Sequence, residues 1–222
     1  MGYGPGRWWH KFYNFPDLIR VTKTLTLDEK VGYPFCVLPI GKSVWNKVSL
    51  HNIGFIHWVI QYNQKDLLSK TIVSIAGHRS ALNSMIQHLN MIDIAGIEIN
   101  YSCPNHTPFT YVGIDLLNFE SRHPLYLKLR YDDNPYKYDL DKIDGIRLNS
   151  VPAFGGGMSG KYAQKYNWHS IKNWIKDGIN VAGCSFTCMD DIKRLEDMGC
   201  KEIGIGSTII TNPSLVELLK ND

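Results

Sequence analysis

The 222-residue chain carries 24 Lys and Arg against 21 Asp and Glu, a net charge of +3, with 44% hydrophobic and 12% aromatic side chains. That balance is globular: it excludes disorder and coiled coil, and the small, scattered positive excess gives no nucleic-acid footprint. No apolar run reaches the roughly 18 residues that a membrane helix needs.

The start, Met1 to His10, is Gly- and Trp-rich and has no apolar core, so it does not read as a secretory signal. Trp8 and Trp9 suit local packing better than a partner patch. Candidate strands follow at residues 19–26, 71–76, Gly96–Asn100, Leu125–Leu129, Gly145–Leu148, 180–182 and 202–206. Helical spacing appears between them. Leu82, Met85, Ile86 and Leu89 share one face over 80–89, and Trp168, Ile171, Trp174 and Ile175 share one over 167–176. Residues 190–198 open with paired acids, which suit a helix N-terminus, and Gly199 reads as the stop. Residues 214–219, after Asn212-Pro213, read as the last helix. Alternating β and α elements predict one α/β domain over 1–222 with a parallel sheet, open or closed. Residues 26–68 break the rhythm, with Pro34, Pro39, Gly41 and a 45–58 stretch of no helical period. A long excursion of that kind suits a functional loop or lid.

The most informative stretch runs Gly96-Ile-Glu-Ile-Asn-Tyr-Ser-Cys-Pro-Asn105. A strand passes directly into a polar turn with two carboxamides, a hydroxyl and a thiol, and parallel α/β folds place their active sites at such strand ends. Cys103 there could serve as proton acceptor or nucleophile; the plainer alternative is a turn with cysteine as small filler. Lys128, flanked by Leu127 and Leu129, needs a partner if it sits mid-strand. Three glycine-bearing turns, Gly155-Gly-Gly157 with Ser159-Gly160, Gly183-Cys184-Ser185 and Gly204-Ile-Gly-Ser207, favour a phosphorylated cofactor, since small residues let amides converge on an anion. Five cysteines, Cys36, Cys103, Cys184, Cys188 and Cys200, are too sparse for a disulfide scaffold and point to a reducing, cytoplasmic setting. Cys184, Cys188 and Cys200 lack metal-ligand spacing and read as packing residues, so no metal is expected. His78, His106 and His169 are scattered and read as solvated.

The string Asn100-Tyr-Ser-Cys-Pro-Asn105 resembles the signature of the dihydroorotate dehydrogenases. Other pieces follow in that family's order. Val21-Thr-Lys-Thr-Leu-Thr26 is similar to its lysine strand, and Val44-Trp-Asn46 through Asn52-Ile-Gly-Phe55 to its substrate loop. Ser74-Ile-Ala-Gly77, Leu127-Lys-Leu129, Asn149-Ser150, Gly156-Gly-Met-Ser-Gly160 and Ile203-Gly-Ile-Gly-Ser207 continue it. The cysteine form of the base resembles the soluble class 1 members.

The resemblance implies a (β/α)8 TIM barrel that binds FMN and oxidises dihydroorotate to orotate. Cys103 matches the catalytic base. Lys23, Asn46, Asn100, Asn105, Asn149 and Ser150 match substrate-binding positions. Lys23, Thr24, Asn100, Lys128, Gly157, Gly183, Cys184, Gly206 and Ser207 match cofactor-binding ones. A homodimer is expected, with a small-molecule substrate and neither nucleic acid nor membrane as partner. Three departures from the family pattern stand out. Only Met1 to Leu18 precedes the lysine strand, so the first strand is expected to be lacking or incomplete, as in a barrel truncated at its N-terminus. The link from Asn149 to Gly155 is short, and Gly183-Cys184 stands where the family pairs two glycines. Two alternatives remain: a catalytically impaired barrel of this kind with a structural or regulatory role, and a tRNA dihydrouridine synthase-like flavoenzyme. Ser102 and the weak net charge speak against the latter.

Overall fold

A computed structural model describes residues 18–32, 36–62, 68–103 and 120–219. Asn105, His106 and the Trp8-Trp9 pair lie outside the described residues. Five strands form a parallel sheet: β1 (Arg20–Val21), β4 (Thr71–Ile75), β5 (Gly96–Asn100), β6 (Leu125–Leu129) and β7 (Gly145–Leu148), in that spatial order. Single parallel bridges carry the run on, from Ile146 to Val181 and from Gly183 to Ile203. The strand expected at 19–26 is therefore two residues long with one further bridge at Leu25, and those at 180–182 and 202–206 are bridges only. The sheet curls into a half-barrel; among the described residues no pairing joins Ile203 back to β1, so the expected closed (β/α)8 barrel is not what these residues form.

The two faces of the sheet differ in character. Val73, Ile75, Ile97, Ile99, Leu125, Leu127, Leu129 and Ile146 lie in the apolar core. That core is completed by three helices: α2 (Arg79–Leu89), α3 (Lys161–Lys176) and α4 (Met189–Asp197), through Leu82, Met85, Leu89, Ile171, Trp174, Ile192 and Leu195. Toward the C-terminal ends the alternate residues are polar and meet across the register: Ser74 faces Glu98, Asn100 faces Lys128, and Lys128 faces Arg147. Period-two alternation puts folding on one face and chemistry on the other.

The excursion after β1 is more ordered than its sequence predicts. It holds a hairpin, β2 (Val37–Ile40) with β3 (Ser43–Asn46), and helix α1 (Phe55–Tyr62). Phe55, Trp58 and Val59 are buried at i, i+3 and i+4, while the exposed Ile56 and Ile60 blur the helical pattern.

The glycine run expected to be a phosphate turn is instead a strand. β9 (Gly156–Gly160) pairs with β3 and with β8 (Val151–Ala153), giving a four-stranded antiparallel sheet in the order β2-β3-β9-β8. Phe154 and Gly155, at φ +51° and +68°, make the two-residue turn between β8 and β9, the left-handed geometry that matches strand twist. Gly156 is glycine for closeness: a Cβ there would lie 2.5 Å from the Asn46 carbonyl oxygen and 2.8 Å from Trp45 Nε1. The short link after Asn149 is thus a hairpin that lays β9 against β3.

The remaining helices are α5 (Thr208–Thr211) and α6 (Pro213–Leu218), the latter capped by Asn212 Oδ1 accepting from the Leu215 amide at 3.3 Å. Gly199, at φ +98°, follows α4 as expected.

Candidate active site

At the C-terminal strand ends, three side chains from three strands form one hydrogen-bonded chain. Asn100, the last residue of β5, donates from Nδ2 to Thr24 Oγ1 at 2.9 Å, and its Oδ1 accepts from Asn149 Nδ2 at 3.0 Å. Asn149, just past β7, shares that amide with the Ser102 carbonyl at 2.8 Å. The Thr24 hydroxyl lies 2.9 Å from Ser74 Oγ. All are buried, so each bond satisfies a group that would otherwise cost free energy.

One layer deeper sits Glu98, 1% exposed. Its Oε1 accepts from Ser74 Oγ at 2.8 Å and from Lys128 Nζ at 3.1 Å, and Arg147 stands 3.9 Å from Oε2. Burial works to raise its pKa, but Lys128, Arg147 and the Ser74 hydroxyl prevail and hold the carboxyl below its ordinary range. Arg147 in turn reaches Glu202 at 3.0 Å and stacks over the Tyr126 ring at 4.3 Å. Lys128 thus has the partner its sequence context demanded.

Cys103 is half-buried beside this cluster. The turn that carries it is pinned at Ser102, whose Oγ donates to the Asp133 carboxylate and accepts from the Arg130 amide at 2.8 Å. The same Asp133 oxygen accepts from that amide at 2.7 Å. Two lysines lie within electrostatic reach of the thiol. Burial pushes the Lys23 ammonium down to about 8, against the opposing pull of a Cys103 thiolate. Lys30 is lowered in the same way and for the same reasons. The arrangement is a thiol held on a fixed turn within electrostatic reach of two lysines.

The loops after the last two parallel segments lie side by side: the Gly204 amide donates to the Gly183 carbonyl at 2.8 Å. Among the described residues, the backbone amides of Ile205, Gly206 and Ser207 carry no hydrogen bond, and a Cβ on Gly206 would meet nothing within 4 Å. Three free amides on an open turn can hold an anion. Positive φ falls on Ser185 (+63°) and not on Cys184, so the cysteine's Cβ causes no strain in this loop. The Cys184 thiol is pushed up by burial, with Ser185 Oγ at 3.6 Å and Asn167 Nδ2 at 3.5 Å.

Of the residues singled out in the sequence, the structure joins Thr24, Asn100, Asn149 and Lys128, with Cys103 and Lys23 beside them, and sets Gly183 and Cys184 next to the Gly206-Ser207 turn. Asn46 and Gly157 stand apart from that chain as a pair on the antiparallel sheet, Asn46 Nδ2 donating to the Gly157 carbonyl at 3.2 Å. Ser150 follows Asn149 and is half-buried. Asn105 lies outside the described residues. Glu98, Arg147 and Asn167 were missed; an acid and a base in mid-strand carried the same signal as Lys128. Among the described residues no three of His, Cys, Asp and Glu cluster as for a metal, and no helix is long and apolar enough to cross a membrane.

No family model matches the chain, and no curated protein matches its sequence. Solved structures do. DHODH from Eimeria tenella in complex with ferulenol superposes with a TM-score of 0.68 over 89% of this chain and 72% of that one, at 12% identity. The ligand-free DHODH of the same organism gives 0.64 over 90% and 75%, at 15% identity. The likeness is one of architecture: the chain has a DHODH-like α/β fold built on a curled parallel half-barrel.

Proposed function

We propose that this chain is an FMN-dependent oxidoreductase that oxidises dihydroorotate to orotate. The observation that carries the reading is the joining of Thr24, Asn100 and Asn149 into one buried chain at the strand ends, beside Cys103 and above Lys128. Drift toward a merely structural domain gives no reason to keep three carboxamide and hydroxyl groups converging there, and the DHODH-like fold supports the same reading.

The residues fit the cofactor. The free amides of residues 205–207 would take its phosphate, and Lys128, its side chain a quarter exposed while Nζ pairs with Glu98, would face its ring with positive charge. When bound, FMN supplies a two-electron acceptor for a hydride. The chain's part is to hold and deprotonate the substrate. Asn100 and Asn149 orient its ring by hydrogen bonds. The Cys103 sulfur takes the proton from one ring carbon as a hydride leaves the adjacent carbon, so two C–H bonds break and one C=C bond forms. Lys23 and Lys30 would place positive charge within electrostatic reach of that sulfur.

The test is the full chain loaded with FMN. Flavin absorbance should persist after gel filtration, and dihydroorotate should reduce a dye acceptor. Cys103→Ala should keep the flavin and lose at least about 100-fold in rate, the ordinary worth of a positioned base. Absence of bound flavin after loading refutes the proposal.

A further inference from the structure

The positive excess of the chain is scattered along the sequence but concentrated in space. Helix α3 holds Lys161, Lys165, Lys172 and Lys176 and no acidic residue. Without those four, the net charge of +3 becomes −1. At about 3.6 residues per turn they fall within about 60° of arc, along about 22 Å of helix. All four are exposed, and the other exposed residues of the helix are His169 and Asn173. A fifth exposed lysine, Lys42, adjoins the start of the stripe, its carbonyl accepting from the Lys161 amide at 3.0 Å.

The fold does not require this stripe. Helix α3 is held by its other face, where Ile171 and Trp174 enter the core. Polar residues there tie down loops. Ser170 Oγ donates to the Tyr131 carbonyl at 2.7 Å and Trp168 Nε1 to the Cys184 carbonyl at 2.9 Å. Asn167 Nδ2 lies 3.0 Å from Ser185 Oγ and 3.4 Å from the Asn149 carbonyl. The lysines, by contrast, work against the helix. Two pairs, Lys161 with Lys165 and Lys172 with Lys176, are like charges at i, i+4, and Lys161 stands at the positive end of the dipole. A solvated helix ordinarily mixes signs, as α4 does with Asp190, Lys193, Arg194 and Glu196. Among the described residues no carboxylate pairs with any of the four lysines. Lys161 reaches Gln164 Oε1 and Lys165 the face of the Tyr166 ring at 4.7 Å, both neutral groups. Asp177, the acid just after the helix, accepts from the Tyr136 hydroxyl.

We infer that the outer face of α3 is a docking surface for the acidic face of a partner protein. The inference is independent of the FMN reading. Charge complementarity sets the sign of the partner, and the surroundings set its class. Bases of a nucleic acid would need rings to stack on, but Tyr162 and Tyr166 are half-buried and pack together at 5.9 Å, with Tyr131 5.0 Å from Tyr166. A long polyanion would also run off the stripe onto a chain that is otherwise net negative. A membrane surface would need large apolar side chains beside the lysines, and α3 exposes none. A short run of carboxylates meets neither obstacle.

Fluorescence anisotropy on the full chain at about 50 mM salt tests this, where exposed charges are least screened. The probes are a labelled oligoglutamate peptide, an oligothymidylate of equal charge, and phosphatidylserine vesicles. Lys172→Gln with Lys176→Gln should weaken peptide binding about 10-fold, the worth of two exposed ion pairs. Lys193→Gln with Lys201→Gln removes the same charge from exposed sites elsewhere and should leave binding unchanged. Glutamine equals lysine as a helix former, and circular dichroism checks that each pair stays folded. If the α3 pair does not, Lys172→Gln alone should weaken binding about 3-fold. Equal loss from the two pairs, or no peptide binding by the wild-type chain, overturns the inference. So does tighter binding of the oligothymidylate or the vesicles that the α3 pair abolishes, which would give the stripe to a nucleic acid or a membrane. A wild-type dimer that the α3 pair breaks would give it to a second copy and overturns the inference as well.

Discussion

Replacing Glu98 by Gln removes one negative charge from a group that two cations face, and leaves the shape of the side chain intact. At 3.1 Å the Lys128 contact has a gross attraction of about 5 kcal/mol at an effective dielectric constant near 20. Desolvation of both groups offsets part of this, Lys128 is 26% exposed, and Arg147 retains Glu202. Breaking a buried pair from one side typically costs about 3–5 kcal/mol, and those discounts put Glu98→Gln at the lower end, about 3 kcal/mol. For a domain of this size that lowers Tm by about 6–12 °C. The assay is equilibrium denaturation followed by circular dichroism at pH 7, with Lys128→Met and the double variant completing a cycle. The pH dependence has a definite sign. The folded carboxyl titrates below its unfolded value, so its contribution is fully present above about pH 4.3 and is lost as pH falls through the lower folded value. The gap between wild type and Glu98→Gln should therefore close on acidification below about pH 4. A variant within about 0.5 kcal/mol of wild type at pH 7 would refute the claim that the buried carboxylate organises the inner face.

Two further outcomes follow from the same structure. Lys23, pushed down to about 8 from 10.5, is about one-tenth neutral at pH 7, against roughly 0.03% for an ordinary lysine. Limiting acylation with peptide mapping should find it the most reactive described lysine, and uniform labelling would contradict its burial. Because its folded pKa is the lower one, it favours the fold progressively as pH rises from about 8 to 10.5, a slope that Lys23→Met should abolish. The β8–β9 hairpin offers a contrast in kind. Gly156→Ala forces a Cβ to 2.5 Å from a backbone oxygen and should cost about 1–3 kcal/mol, whereas Gly155→Ala meets open space and should cost about 1 kcal/mol through its positive φ alone. Thermal melts that rank them the other way would overturn the steric account.

Much of the outer layer was legible because its signal is periodic. Leu82, Met85, Ile86 and Leu89 announce α2, and β5 to β7 read as strands from short apolar runs bounded by turns. The antiparallel sheet was not, since Gly156-Gly-Met-Ser-Gly160 has the composition of a turn, and only the close approach of Trp45 and Asn46 makes it a strand. The strands expected at 180–182 and 202–206 are single bridges, since a short apolar run marks a segment but not how many of its residues pair. At the site, Asn100, Asn149, Thr24 and Lys128 were legible through their resemblance to a known motif order. Glu98 was equally readable as an acid between isoleucines, but its meaning depends on Lys128 and Arg147, which the chain brings to it from 30 and 49 positions away. Asn167 had no signal at all, for nothing in a helical repeat tells which polar residue lies over two loops.

The two-faced sheet makes reading frame a matter of survival for this protein. Along β5, Ile97 and Ile99 belong to the helical layer while Glu98 and Asn100 belong to the inner cluster. A slip of β5 by one residue against its neighbours would turn two isoleucines onto Lys128 and Arg147 and a carboxylate onto α2. The charges that serve chemistry thereby also act as a proofreading device against odd slips, while an even slip would keep the faces but carry Glu98 away from Ser74.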